Sequence, residues 1–346
     1  MKTFGQRLNK ARKMNGLSMQ DLANKMNNVI TKQAIGKYEQ GDMKPSSDIL
    51  VALSNALNVR PDYFYRNEKI KLENVEFRKL KRLSAKEIDQ IKANTIDFLE
   101  RYFELEDLLG IDKVFENPVS KIEIRTNDDI ELAASNLRDK WNIGSNTIPN
   151  VIELLEDHEI KVFEINVEDG FDGLSTFANG IPVIVLNKGM QKFRKRFTAL
   201  HELAHLVLNF PEGEFSEKEI EKKCHAFAGA MLIPKLAFIE EFGSHRSNVF
   251  MKELMIMKEN FGMSMQAIMA RARNLDLISQ ATYQEFFKTF SKLGFRKEEP
   301  GDYNGEEASL RFTQLILRAV AEEIVSLSKA AALSNQKLAD FRNHLN

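Results

Sequence analysis

The chain has 346 residues, 49 basic and 50 acidic, with 43% apolar residues and a single cysteine. Twenty-four phenylalanines exclude a disordered polymer, and the length suffices for two or three domains, each with its own core. No apolar run reaches the roughly 18 residues of a spanning helix, the first residues lack a signal peptide's apolar stretch, and Cys224 has no internal disulfide partner, so the expected compartment is a reducing cytoplasm without membrane attachment.

The near-neutral total hides an asymmetry. Residues 1–66 hold 11 basic and 5 acidic side chains, a net of +6, and the remainder carries −7. A basic module on an acidic body points to a polyanion as the partner of the first part only, because phosphate contacts need clustered Lys and Arg. FGQRLNKARKMNG spaces Phe4, Leu8 and Ala11 for a helix that stops at Gly16. Ser18 caps SMQDLANKM, with Asp21 completing a capping box, and Thr31 caps TKQAIGKYEQG, which ends at Gly41. Two short helices joined by a tight polar turn make a helix-turn-helix, whose second helix presents polar residues to base edges. Lys32, Gln33 and Lys37 stand in that position.

These helices, with the segment GDMKPSSDILVALSNALNV behind them, resemble the Cro/CI-type (XRE) helix-turn-helix over residues 1–66. The resemblance is most specific at Ile35, Tyr38, Glu39, Gly41 and Pro45 and in the Leu50, Leu53 and Leu57 helix. It implies double-stranded DNA as a partner, with Lys32, Gln33 and Lys37 at bases and Thr31 and Lys44 at phosphates. Met19 stands where the family often has Gln, a departure at one expected phosphate contact.

Residues 67–127 read as a helical linker. From Ser84, capped with Glu87, the residues Ile88, Ile91, Thr95, Phe98, Leu99, Tyr102 and Leu105 recur at helical spacing. Charges such as Glu100 and Arg101 read as a solvated face. The apolar stripe has to bury on the body or on a second copy of the chain, which makes a homodimer an expectation.

The body spans 128–293. Helices at IELAASNLRDKWN and PNVIELLEDH precede short strands IKVFEIN, GLSTFA and IPVIVLN, with turns at Asp169, Gly170 and Gly180. The fold class is α+β: a helix-turn-helix bundle, a helical linker, a mainly helical domain with a small sheet, and a helical region at 294–346. Next comes FRKRFTALHELAHLVLNF. His201 and His205, four apart, share one helix face and can hold one Zn²⁺, while Glu202 sits beside the open position, where it can take a proton from water. The flanks Phe197, Leu200, Leu203, Leu206, Val207 and Leu208 make a buried helix, in which two histidines and a glutamate are costly without a shared ligand. A third ligand is sought on the following helix, EKEIEKKCHAFAGAMLIP, from Glu217, Glu219, Glu221, Cys224 and His225. Glu221, Cys224 and His225 share a face, and spacing does not choose among them.

RFTALHELAHLVLN followed by E-x-x-x-H-A-F-A-x-x-M-L-I-P is similar to the ImmA/IrrE family of metallopeptidases, with the likeness extending over about 128–300. The resemblance implies a zinc metalloendopeptidase with Glu221 as third ligand, Glu202 as general base and His225, where Asn is usual, beside the scissile carbonyl. Cys224 then falls at the family's small position. It also implies a protein substrate, a repressor with its own helix-turn-helix, cut to control stress or mobile-element genes. An extended substrate is expected to add to the sheet edge at GLSTFA or IPVIVLN. A reading of another class is a regulator or antitoxin whose peptidase fold senses a metal or partner without proteolysis. Met251, Met255, Met257, Met263, Met265 and Met269 read as core filling. The turn-rich GFRKEEPGDYNG precedes two final helices, around 306–328 and 334–344, the second capped by Ser334.

Overall fold

The computed structural model describes residues 2–66, 70–73, 83–112, 114–167, 170–296, 298–343 and 345; the turn expected at Asp169 and position 344 of the final helix lie outside them. The N-terminal bundle holds α1 (Lys2–Met14), α2 (Met19–Lys25), α3 (Lys32–Gln40), α4 (Ser47–Leu57) and a 3-10 turn at Pro61–Tyr65. They close around Leu8, Leu22, Ile35, Leu53 and Phe64. The caps are those expected. Ser18 and Asp21 form a reciprocal capping box, Thr31 Oγ1 accepts the Ala34 N–H, and Gly41 ends α3 at φ 82°, where a side chain would be strained.

After β1 (Leu72–Glu73) comes α5 (Ala85–Leu109), with the Ser84–Glu87 capping box in place. The body continues with α6 (Asn127–Lys140), α7 (Val151–Asp157), β2 (Lys161–Ile165), β3 (Gly173–Ala178), β4 (Ile181–Asn187), α8 (Lys192–Val207) and α9 (Glu217–Leu232). Then follow α10 (Lys235–Phe242), α11 (Met251–Phe261), α12 (Met265–Asn274), α13 (Gln280–Lys292), α14 (Arg311–Ala321), α15 (Leu327–Leu333) and α16 (Leu338–Asn343). The class is α+β.

The sheet runs β1-β3-β4-β2, with β3 antiparallel to β1 and β4, and β2 parallel to β4. This corrects one expectation: IPVIVLN is an interior strand and offers no edge. Its unbroken apolar run reflects burial on both faces, since Val183 and Val185 pack with α5 and Ile184 and Leu186 with α8. GLSTFA is the strand beside it, and β1 pairs with its far end at Phe177 and Ala178. At two residues, β1 is too short to leave a pattern in the sequence.

A second correction concerns α5. It is a central strut, with charges turned inward. Glu100 accepts from Arg7 at 2.6 and 3.1 Å and from Lys10 at 3.2 Å, while Arg101 pairs with Asp97 and donates to the Leu333 carbonyl at 2.7 Å. Its apolar stripe is covered by the chain itself: Ile91 and Leu99 meet the sheet, and Leu105 meets α14–α16. That stripe therefore gives no argument for a homodimer.

Among the described residues the C-terminal region holds three helices, α14 to α16, rather than two. Glu323, at φ 57°, breaks the segment expected to run to 328, Ser326 caps α15, and Ser334 lies at the end of α15, donating to the Ala330 carbonyl. The six methionines line or adjoin the main core. Among the described residues no helix is long and apolar enough to cross a membrane.

Candidate functional site

The site lies between α8, α9 and β3. Helix α8 buries Leu200, Leu203, Ala204 and Val207, and it can approach the sheet because residue 173 is glycine: a Cβ there would sit 3.0 Å from Thr198 Cγ2 and 3.1 Å from the Val185 carbonyl oxygen. His201 and Glu202 are both buried, at 8% and 4% exposure, too low for a surface glutamate beside ordinary core histidines. Helix α9 is fixed by Cys224, Phe227, Ala228 and Met231 in the core, which turns Glu221 toward α8.

Three donor groups meet there. Glu221 Oε2 is 3.1 Å from His201 Nε2, Glu221 Oε1 is 3.4 Å from His205 Nε2, and the two Nε2 atoms are 3.2 Å apart. Three donors bound tetrahedrally about 2.0–2.1 Å from one ion are separated by about 3.3–3.4 Å. The side chains thus already stand at metal-binding separations. His225 brings a nitrogen within 4.8 Å of the His201 and Glu221 donors, so an overlapping group can also be drawn. His205 Nε2 stands 3.2 and 3.4 Å from the other two donors, while the exposed His225 has Nδ1 on the Glu221 carbonyl at 2.6 Å.

The other candidates on α9 have different employment. Glu219 closes the capping box with Ser216, whose hydroxyl and N–H hold its carboxyl below the usual carboxylate range. Glu217 is exposed in the first turn. Cys224 Sγ lies 3.5 Å from His205 Nδ1, the ring nitrogen opposite the cluster, and so stands behind a histidine. A partner on Nδ1 fixes the ring and leaves Nε2 as the coordinating atom. His201 Nδ1, by contrast, is buried and has no hydrogen-bond partner among the described residues, and its ring is placed by packing against those of His205 and His225, at centroid distances of 4.9 and 4.2 Å.

Sequence reasoning missed Ser175. Its hydroxyl donates to Glu202 Oε2 at 2.8 Å and aims that carboxylate from β3. The signal was strand alternation, since Ser175 shares a face with Gly173, the residue that α8 approaches.

In the N-terminal bundle, Thr31, Lys32, Gln33, Lys37 and Lys44 are all exposed. Thr31 Oγ1 is engaged as an acceptor and keeps its O–H as a donor. Among the described residues Lys32, Lys37 and Lys44 form no ion pair. The charge count nevertheless overstates the basic surface, because Arg7, Lys10 and Arg12 are buried, the first two on Glu100 and the third on Glu39.

Comparison with known proteins defines the class. Residues 8–64 match a helix-turn-helix family, and residues 155–273 match the M78 peptidase family, described as the IrrE N-terminal-like domain. The chain carries an XRE-type helix-turn-helix domain and an IrrE/ImmA-like M78 domain, with α2 and α3 in the first and α8 and α9 in the second. Among curated proteins it is similar to the SPbeta prophage-derived uncharacterized HTH-type transcriptional regulator YonR of Bacillus subtilis (strain 168), at 41% identity over 63 residues, 18% of this chain and 56% of that protein. It is also similar to the uncharacterized HTH-type transcriptional regulator YqaE of the same organism, at 37% identity over 65 residues, 19% of this chain and 54% of that protein. The chain thus spans about half the length of the curated relatives it matches.

Proposed function

We propose that the chain is a DNA-binding regulator whose M78 domain is a zinc-dependent endopeptidase acting on a protein, in the first instance a helix-turn-helix repressor. The observation that carries the reading is the convergence of His201 Nε2, His205 Nε2 and the Glu221 carboxylate at 3.1–3.4 Å beside the buried Glu202. In this reading those three residues hold the metal, and two nitrogens with one carboxylate are a donor set suited to catalytic zinc. When bound, zinc supplies a Lewis acid that acidifies water and polarises a peptide carbonyl. Glu202, aimed by Ser175, receives the water's proton on a carboxylate oxygen and delivers it to the departing amine. His225, anchored by Nδ1 on the Glu221 carbonyl, stands beside the cluster, where it orients the bound peptide at the scissile carbonyl. An extended substrate lies along β3, with Lys32, Gln33 and Lys37 addressing DNA bases and Thr31 and Lys44 addressing phosphates at the other end of the molecule's function. The printed name of one relative as prophage-derived supports a role in controlling mobile-element genes.

Three variants test this. Glu221→Ala should lose most of the bound zinc, whereas Cys224→Ala should keep it; equal losses would overturn the ligand assignment. Glu202→Gln should keep both fold and zinc while abolishing cleavage of a co-expressed helix-turn-helix repressor. Cleavage undiminished in that variant would remove Glu202 as the base. Both relatives are named as HTH-type transcriptional regulators, which keeps a second reading in view: a transcriptional regulator or antitoxin whose peptidase fold senses a metal or partner without proteolysis. It predicts that the wild-type chain binds zinc and DNA but cuts no repressor.

A further inference from the structure

Beside the histidine cluster lies a cavity of about 530 Å³, walled by α8, α9, α12 and α13. Phe193 and Phe197 stand two turns and one turn before His201 on α8, and Phe287 closes the far side. The room exists because the facing positions are small. Gly229 on α9 and Ala267 and Ala270 on α12 hold no bulk, and a Cβ on Gly229 would already sit 3.4 Å from Met263 Cε. The cavity adjoins the cluster through two rings: Phe197 lies 5.9 Å from His225, which lies 4.2 Å from His201.

The chemistry of the walls selects the guest. The charged groups are already engaged: Arg271 on Glu131 at 2.7 and 3.0 Å, Arg194 on Asp172 at 2.7 and 2.8 Å, and Glu299 on the Met265 N–H at 2.9 Å. Arg296 lies over the Phe287 ring and donates to Ser291. Among polar wall residues such as Gln191, Gln266 and Asn274, the side chains of Phe193, Phe197, Phe287 and Met263 offer an apolar face of a size that suits a large side chain. We propose that this cavity receives a phenylalanine, leucine or methionine side chain next to the bond to be cut, and so sets which peptide segments become substrates. The proposal rests on the peptidase reading above and adds the class of residue that the site selects.

Ala270→Phe and Ala267→Phe each place a ring in the cavity from a half-buried position on α12, outside the metal cluster. Circular dichroism and zinc content establish which variant is folded, and either one serves. In the first arm, the zinc-loaded full chain digests a decapeptide library, and product termini are read by mass spectrometry. The wild type should cut beside Phe, Leu or Met, and the filled variant should lose about tenfold to a hundredfold in kcat/KM on Phe peptides while keeping Ala and Ser peptides. The same flanking residues in both product sets would overturn the proposal. In the second arm, zinc-loaded Glu202→Gln chain, with and without Ala270→Phe, binds labelled peptides that differ only by Phe or Ala. The Phe peptide should bind at least about tenfold more weakly once the cavity is filled; unchanged affinity overturns the pocket. A wild type that cuts no peptide removes the peptidase reading, and the binding arm then decides the pocket alone.

Discussion

Replacing Glu100 by Gln should loosen the DNA-binding bundle from the body. The Arg7 guanidinium, at 1% side-chain exposure, makes two bonds to Glu100, and the Lys10 ammonium, at 7%, makes a third. Burial alone would lower the Arg7 pKa, yet the Glu100 carboxylate holds it above the ordinary value. Removing one partner of a buried ion pair costs about 3–5 kcal/mol, because the other charge stays desolvated. Two features reduce that figure here. Glu100 keeps 14% of its side chain exposed, and Arg7 retains the Arg66 carbonyl at 2.8 Å and the Tyr63 ring at 5.3 Å. The expected loss is therefore about 2–3 kcal/mol. A glutamate on a solvated linker would cost no more than about 0.5 kcal/mol.

The assay uses the single tryptophan. Trp141 is buried in the main core of the body, so its fluorescence follows the body, while far-UV circular dichroism follows both parts. In guanidinium, wild type should unfold coincidently by the two probes, and Glu100→Gln should show a dichroism transition that precedes the fluorescence change. Arg7→Met and Lys10→Met together with Glu100→Met should recover part of the loss, since the three charges that meet there are removed together. Coincident curves within 0.5 kcal/mol of wild type would refute the strut reading of α5.

Ser175→Ala should lower kcat by about tenfold with zinc content and KM unchanged, because the residue aims Glu202 without touching the cluster; steady-state kinetics on a cleaved peptide checks the split. Lys32→Ala or Lys37→Ala should weaken operator binding by about 1–3 kcal/mol for a cognate site, whereas Lys44→Ala should lower the salt dependence by about one unit of slope, both read by gel retardation over a salt series. Burial pushes the Glu156 and Glu307 carboxyls up to about 7, so the folded chain keeps protons that the unfolded chain gives up near 4.5. The stability from these groups is complete below pH 4.5 and is lost as pH rises through 7, by at most about 3 kcal/mol each. Thermal melts at pH 5 and 8 should therefore show a decline that Glu156→Gln reduces.

What the sequence made legible is what can be written in a few consecutive residues. Caps such as Ser18, Thr31 and Ser84 act over three residues, and the His201–Glu202–His205 face over four, so pattern and structure coincide there. The separate contacts of Glu221, Cys224 and His225 were not legible from spacing, because the three share one face; the family resemblance singled out Glu221, and the crossing of α9 over α8 gives each its own neighbour. The same limit explains α5. Glu100 answers Arg7 from 93 residues away, and Glu106 answers Lys161 of β2 from 55, so a helix that reads as a linker with a wet face is a strut with buried charges. The charge split between residues 1–66 and the rest has two parts for this reason. Lys32, Lys37 and Lys44 face outward and are available to phosphate and bases, while Arg7 and Lys10 face inward and are neutralised by the acidic body at α5. Part of the opposite charge on the two modules is thus what joins them, and counting it toward DNA would attribute one set of charges to two partners.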